Sequence, residues 1–255
     1  MICKNCDNDL RTDFSYCPTC GAKVIRHRLT FKNVWEDISF QIFNLDNTLF
    51  KTIKHLFTRP DEVINSYISG TRKRYMNPIS FFAIGVTLSG ILFYVLRNVY
   101  HIHLTQNSLN NQKTPDLDFV FDYQGLMSYL IIPIYAMFTW LLFLDKKKLN
   151  YTEHLVANAF IFGQVSFVQV LSGLLIFGFF DVRYDLFNYT FLLIVVLYQF
   201  YVFRKVHHTG PVSTLLRALA YMVMLIILMI GIGILIFLIG YLTGNINIED
   251  FKPPN

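Results

Sequence analysis

The chain has 255 residues, 54% of them hydrophobic, only 15% charged and 16% aromatic, with a mean hydropathy of +0.42. A water-soluble domain carries about 25% charged residues, so a soluble globule is excluded, as are collagen-like, disordered and low-complexity chains. The formal net charge is +5, and its placement along the chain matters more than its size.

All four cysteines fall within the first twenty residues, as Cys3-x-x-Cys6 and Cys17-x-x-Cys20. Two such pairs supply the four thiolates of a tetrahedral zinc site, each short knuckle presenting two sulfurs to one ion. In the second knuckle, CPTCG, proline shapes the turn and Gly21 permits left-handed backbone; in the first, Asp7 and Asn8 tolerate that conformation. Phe14 and Tyr16 offer a small apolar patch, and the metal supplies most of the stability of a unit this short. The site is closed, so the zinc is expected to be one structural ion with no catalytic position. FSYCPTCG resembles the second half of a minimal double-CxxC zinc ribbon, a resemblance confined to residues 1 to 24.

From residue 31 to 57, Phe31, Val34, Ile38, Ile42, Leu45, Leu49, Ile53 and Leu56 recur at steps of three and four, the spacing of an amphipathic helix. Such a helix lies on the inner leaflet or packs beneath a bundle, and the pattern alone does not separate the two. Thr58-Arg59-Pro60-Asp61 starts another helix, which stops at Gly70. The basic run Arg72-Lys73-Arg74 followed by Tyr75 suits the headgroup level of a bilayer.

Five stretches are long enough to cross about 30 Å of hydrocarbon as helices. They run from Pro78 or Ile79 to Leu96, Leu126 to Leu144, Leu155 to Phe180, Leu186 to Phe203, and Ala218 to Leu242. The fold class is therefore an all-α integral membrane protein with about five transmembrane helices, preceded by a zinc ribbon and amphipathic juxtamembrane helices. The expected divisions are 1–24 for the ribbon, 25–77 for the juxtamembrane helices, 78–244 for the bundle and 245–255 for a polar tail. With the N-terminus inside, 18 of the 22 Lys and Arg lie on the cytoplasmic side, leaving Arg97, Lys113, Arg183 and Lys252 outside. That bias predicts a cell (inner) membrane protein with a cytoplasmic N-terminus and an external C-terminus. It also accounts for the net charge without a nucleic-acid partner.

The arrangement RPDEVINSYISGTRKRYMNP, an apolar span, and later NYTEHLVANAF opening another span resembles a bacterial family of uncharacterised multi-pass membrane proteins, over residues 45 to 210. Members of that family often carry an N-terminal zinc ribbon, and the resemblance implies no biochemical activity.

Glu153, His154 and Asn158 stand at the cytoplasmic mouth of the third span. With Arg72, Arg74 and Tyr75 they form the candidate polar cluster, because polar groups at membrane depth are costly unless used. Ion binding, proton relay or chemistry on a lipid headgroup would use such groups; pairing of Glu153 with Arg72, Arg74 or the lysines, and capping by His154, would explain them structurally. Gln164, Gln169 and Gln199 are expected to make interhelical hydrogen bonds. His207 and His208 lie on the same side as His154, but neighbouring histidines on a helix point apart. No phosphate-binding glycine loop, GxSxG or HExxH is present. The functional expectation is a non-enzymatic membrane scaffold, sensor or adaptor with a cytoplasmic protein partner for the ribbon. A small-solute or ion transporter, or a lipid-modifying enzyme, is the alternative, and small residues at Gly85, Ser89, Gly240 and Gly244 suit intramolecular packing or a homo-oligomer.

Overall fold

A computed structural model describes residues 2–3, 6–21, 24, 48–71, 74–102, 124–180 and 182–242, with side chains to residue 234. Residues 31 to 47 of the amphipathic pattern, Arg72, Lys73, Gly244 and the polar tail lie outside the described residues, as does the side chain of Gly240. The chain separates into two compact units, Met1–Asp46 and Asn47–Asn255. Among the described residues the first unit has no strand; Ile2 and Asp9 form an isolated antiparallel bridge.

The second unit is all-helical. Helix α1 covers 48–58, and α2 covers Pro60–Ile68, with Pro60 in its first turn and Asp61 and Glu62 at its positive end. Gly70 ends α2 with φ +98°, and the Gly70 and Thr71 amides donate to the Tyr67 and Ser66 carbonyls at 3.1 and 2.8 Å. Then come α3 (Pro78–Asn98), α4 (Gln124–Leu142), α5 (Tyr151–Phe179), α6 (Tyr184–His207) and α7 (Pro211–Leu242). Helices α3 to α7 are each long and apolar enough to cross a membrane, which fits an all-α multi-pass membrane protein.

Local chemistry sets the helix ends. The Asn77 side chain accepts from the Ile79 amide at 2.9 Å at the start of α3. Asn150 and Glu153 form a reciprocal capping box at the start of α5, so that helix begins one turn before the apolar run does. Helix α6 likewise extends four residues past the expected Phe203 and ends on His208, held left-handed at φ 52°. Pro211 opens α7, seven residues before its uncharged run.

Helix α5 is the hub. Helix α3 runs beside it in the same direction: Phe81 and Gly85 lie against Gly163, and Leu92 against Gly173. A Cβ on Gly85 would sit 2.9 Å from the Gly163 carbonyl, and one on Gly163 would sit 2.6 Å from Phe81. The two backbones therefore approach as closely as they do only because both positions lack side chains. The third small residue, Ser89, bonds Gln169 at 3.4 Å. Helix α7 is the most peripheral span, 6% buried against 44% for α3.

Helices α1 and α2 pack against α5 and α6, resolving the alternative left open for this part of the amphipathic pattern. Leu56, Val63 and Ile64 are fully buried in the main core with Phe81, Phe160 and Val202. The end of α1 is capped from a distance: Tyr198 and Tyr201 donate their hydroxyls to the Leu56 and Phe57 carbonyls, both at 3.1 Å. Gln164 donates to the Ile53 carbonyl at 3.2 Å. Two carbonyls of the last turn, which no amide within α1 reaches, thus find donors on α6.

Candidate functional site

In the first unit Cys3, Cys6, Cys17 and Cys20 place their sulfurs within 4.8 Å of one another. Asp7 and Gly21 both take left-handed backbone, at φ 55° and 72°, just after the last cysteine of each knuckle. The turns close through Asp7 N–H to the Cys3 carbonyl and Gly21 N–H to the Cys17 carbonyl, both at 2.9 Å. Cys3 and Cys17 are buried with Leu10, against Phe14 and Val24. Tyr16, expected in that patch, is 58% exposed instead. Leu10 and Val24 were not singled out because they lie outside the knuckles.

The donor set fits a metal. Four thiolates around zinc at about 2.3 Å have sulfurs about 3.8 Å apart, and the Cys3–Cys20 and Cys6–Cys17 sulfur separations are 3.7 and 3.6 Å. The four cysteines are close enough together to bind one metal ion, and with all four engaged no open position remains.

Of the six-residue polar cluster expected from the sequence, Arg72 lies outside the described residues and the other five fall in three places. His154 and Asn158, 1% and 0% exposed, meet Thr139 of α4 and Gln199 of α6. Thr139 Oγ1 lies 3.1 Å from His154 Nδ1 and accepts from Asn158 Nδ2 at 3.0 Å. Asn158 Nδ2 also donates to the His154 carbonyl at 2.8 Å, and its Oδ1 accepts from Gln199 Nε2 at 3.0 Å. Four buried polar side chains from three helices thus bond to one another in an apolar setting, with Gln199 Oε1 left without a partner, and loss of a further partner there leaves another buried group unpaired.

Glu153 takes no part in that network. Its carboxylate accepts from the Asn150 amide at 2.7 Å and its own amide donates to Asn150 Oδ1 at 2.9 Å, so it caps α5 at the surface. His154, for which capping was one expectation, instead lies in a triangle of rings, with Phe203 at 5.3 Å and His207 at 5.5 Å, themselves 6.0 Å apart. Among the described residues the two imidazoles belong to no group of three or more potential metal ligands. His208 is exposed. Beside this stack Arg217 forks onto Asp145 at 2.7 and 2.8 Å, and its guanidinium lies 4.7 Å from the Phe143 ring. Arg217, whose side chain is 16% exposed, holds the Asp145 carboxyl below its usual range through these hydrogen bonds, against the opposing effect of burial.

Arg74 and Tyr75 belong to a second cluster, around α1 and α2. Tyr75 is 3% exposed, and its hydroxyl lies 2.7 Å from His55 Nδ1. Lys51 and Arg74 each place their charge 5.5 Å from the Tyr75 ring centre. Arg74 pairs with Glu62, and Arg59 pairs with the same carboxylate at 3.5 Å. Lys51, His55 and Arg59 stand at i, i+4 and i+8, the sequence signal that would have gathered them onto one face. Thr139, a lone hydroxyl in an apolar run, gave no comparable signal.

This second cluster lies within the part of the chain that has known counterparts. No curated protein and no solved structure matches the chain. Over residues 46–90 it is similar to a family described as a protein of unknown function (DUF3667).

Proposed function

We propose that the chain is a membrane-embedded scaffold or adaptor whose N-terminal knuckle pair, folded on one structural zinc ion, recruits a cytoplasmic protein partner. The observation that carries this reading is the closed four-cysteine geometry, with sulfur pairs at 3.7 and 3.6 Å, in a compact unit of its own, Met1–Asp46. A saturated tetrahedral site serves folding and surface presentation, since substrate has no position to occupy. The cytoplasmic side for this unit rests on the placement of 18 of 22 Lys and Arg, and a reducing compartment keeps the thiols available to metal. Of the residues that motivate transport, Glu153 caps α5, His154 and Asn158 meet Thr139, Gln164 donates to the Ile53 carbonyl and Gln169 accepts from Ser89, which suits a load-carrying role in the bundle.

The test is capture of the intact protein from its native membrane beside a form lacking residues 1–24, with metal analysis of both. One zinc per chain in the intact protein, and a partner that is lost with the segment or with chelation and returns with zinc, is the expected result. The reading fails if the metal is absent or if every partner persists in the shortened form.

A further inference from the structure

The cluster around Tyr75 has more positive charge than its own carboxylates neutralise. From Thr48 to Asn77 the sequence carries Lys51, Lys54, Arg59, Arg72, Lys73 and Arg74 against Asp61 and Glu62. Glu62 is already shared by Arg59 and Arg74. Lys51 makes no ion pair among the described residues; its charge rests on the Tyr75 ring beside that of Arg74. Three cations are thus collected around one buried aromatic ring and one carboxylate, while Arg59 and Arg74 keep 67% and 46% of their side-chain surface open.

The position fixes the class of anion. Tyr75 stands three residues before Pro78, where the first membrane-spanning helix begins. The same stretch of chain carries exposed apolar side chains, Phe50 at 67% and Phe57 at 47% on α1 and Ile79 at 68% in the first turn of α3. A ligand meeting both surfaces has an anionic head and an apolar body. Guanidinium and ammonium groups are the usual partners of phosphate oxygens, and basic clusters at the end of a span attract anionic lipids.

We propose that Lys51, Arg59 and Arg74, gathered around Tyr75 and Glu62, bind the phosphate headgroup of an anionic phospholipid at the bilayer face from which α3 starts, with the acyl chains continuing past Ile79 along that span. The site is independent of the cysteine knuckles and of the buried network on α5. His55 serves as its internal reporter. Burial lowers the pKa of His55 from 6.5; Glu62 opposes that shift, while Arg59, Lys51 and Arg74 reinforce it. A phosphate seated on those three cations offsets their repulsion, so the imidazole then titrates at higher pH.

The full chain is reconstituted into bilayer discs holding equal amounts of phosphatidylcholine and phosphatidylglycerol, released into detergent, and the lipid retained by each chain is identified by native mass spectrometry. Phosphatidylglycerol is expected to be retained selectively, and the double variant Lys51→Gln/Arg59→Gln to weaken that retention by about fivefold per cation removed. Lys205→Gln, a change at the same end of the bundle, is expected to leave it unaltered. Equal retention of the two lipids, or undiminished retention by the double variant, overturns the proposal. So does displacement of the phospholipid by inorganic phosphate in excess, because the site then reads phosphate alone. A measurement on the unaltered chain guards against misfolding of the variant: exchanging phosphatidylcholine for phosphatidylglycerol should raise the His55 titration midpoint by more than that of exposed His208, and equal shifts count against the site.

Discussion

Asn158 shows how one side chain ties three helices together. It donates to Thr139 and to the His154 carbonyl while accepting from Gln199, and all four side chains are buried. Asn158→Leu leaves the Gln199 amide N–H groups without that acceptor in an apolar interior. The expected cost is about 1–2 kcal/mol, measured by reversible unfolding in mixed micelles. Asn158→Leu/Gln199→Leu removes both partners and should recover part of the loss; a double variant as unstable as the sum of the two single changes would refute the pairing. Their interhelical use was legible in the sequence for Gln164 and Gln199, since an amide in a span requires a partner. The burial of His154 was not, because it depends on Thr139, and no local pattern says which turn of α4 faces α5. The cap made by Glu153 was missed beside the ion-binding and ion-pairing readings, although Asn150-x-x-Glu153 has the spacing of a capping box.

At the level of elements, the contact of α3 with α5 rests on glycine. Gly163→Ala puts a methyl group 2.6 Å from Phe81 and 3.2 Å from the Phe82 Cα, where neither helix has room to yield. Destabilisation of about 1–3 kcal/mol is expected. Gly90→Ala is the matched control on α3, with nothing within 4 Å of the new Cβ, and should stabilise the helix by about 0.5–1 kcal/mol. Thermal unfolding of the two variants in one detergent decides the matter: equal effects would mean that the close approach contributes nothing. The start of α3 was legible because Asn77-Pro78 marks it. The starts of α5 and α7 were not, since the apolar runs begin at Leu155 and Ala218 while the helices begin earlier, at Tyr151 behind the Asn150 cap and at Pro211.

For the whole molecule, the distribution of charge fixes an orientation that labelling checks directly. The loop at Lys146 to Lys148 and the turn at Val182-Arg183 lie at opposite ends of α5. Cysteines introduced at Lys147 and Val182 and treated with a membrane-impermeant maleimide should differ: Val182→Cys reacts in intact cells, and Lys147→Cys only after lysis. The reverse pattern would invert the topology and remove the basis for a cytoplasmic knuckle pair. The membrane class and the four-cysteine site were legible because each depends on local composition or spacing. The docking of α1 was not, since both faces of an amphipathic helix accept either lipid or protein.

The distant cap on α1 also dictates an order of events. The donors for the Leu56 and Phe57 carbonyls lie 142 and 144 residues further along the chain. A chain emerging from the ribosome from its N-terminal end makes α1 early and Tyr198 and Tyr201 late, after three spans have been delivered to the bilayer. Until α6 arrives, the last turn of α1 has only water or headgroups to bond. The docking of α1 is therefore a closing step of assembly, and a nascent chain halted before α6 holds that helix unlatched.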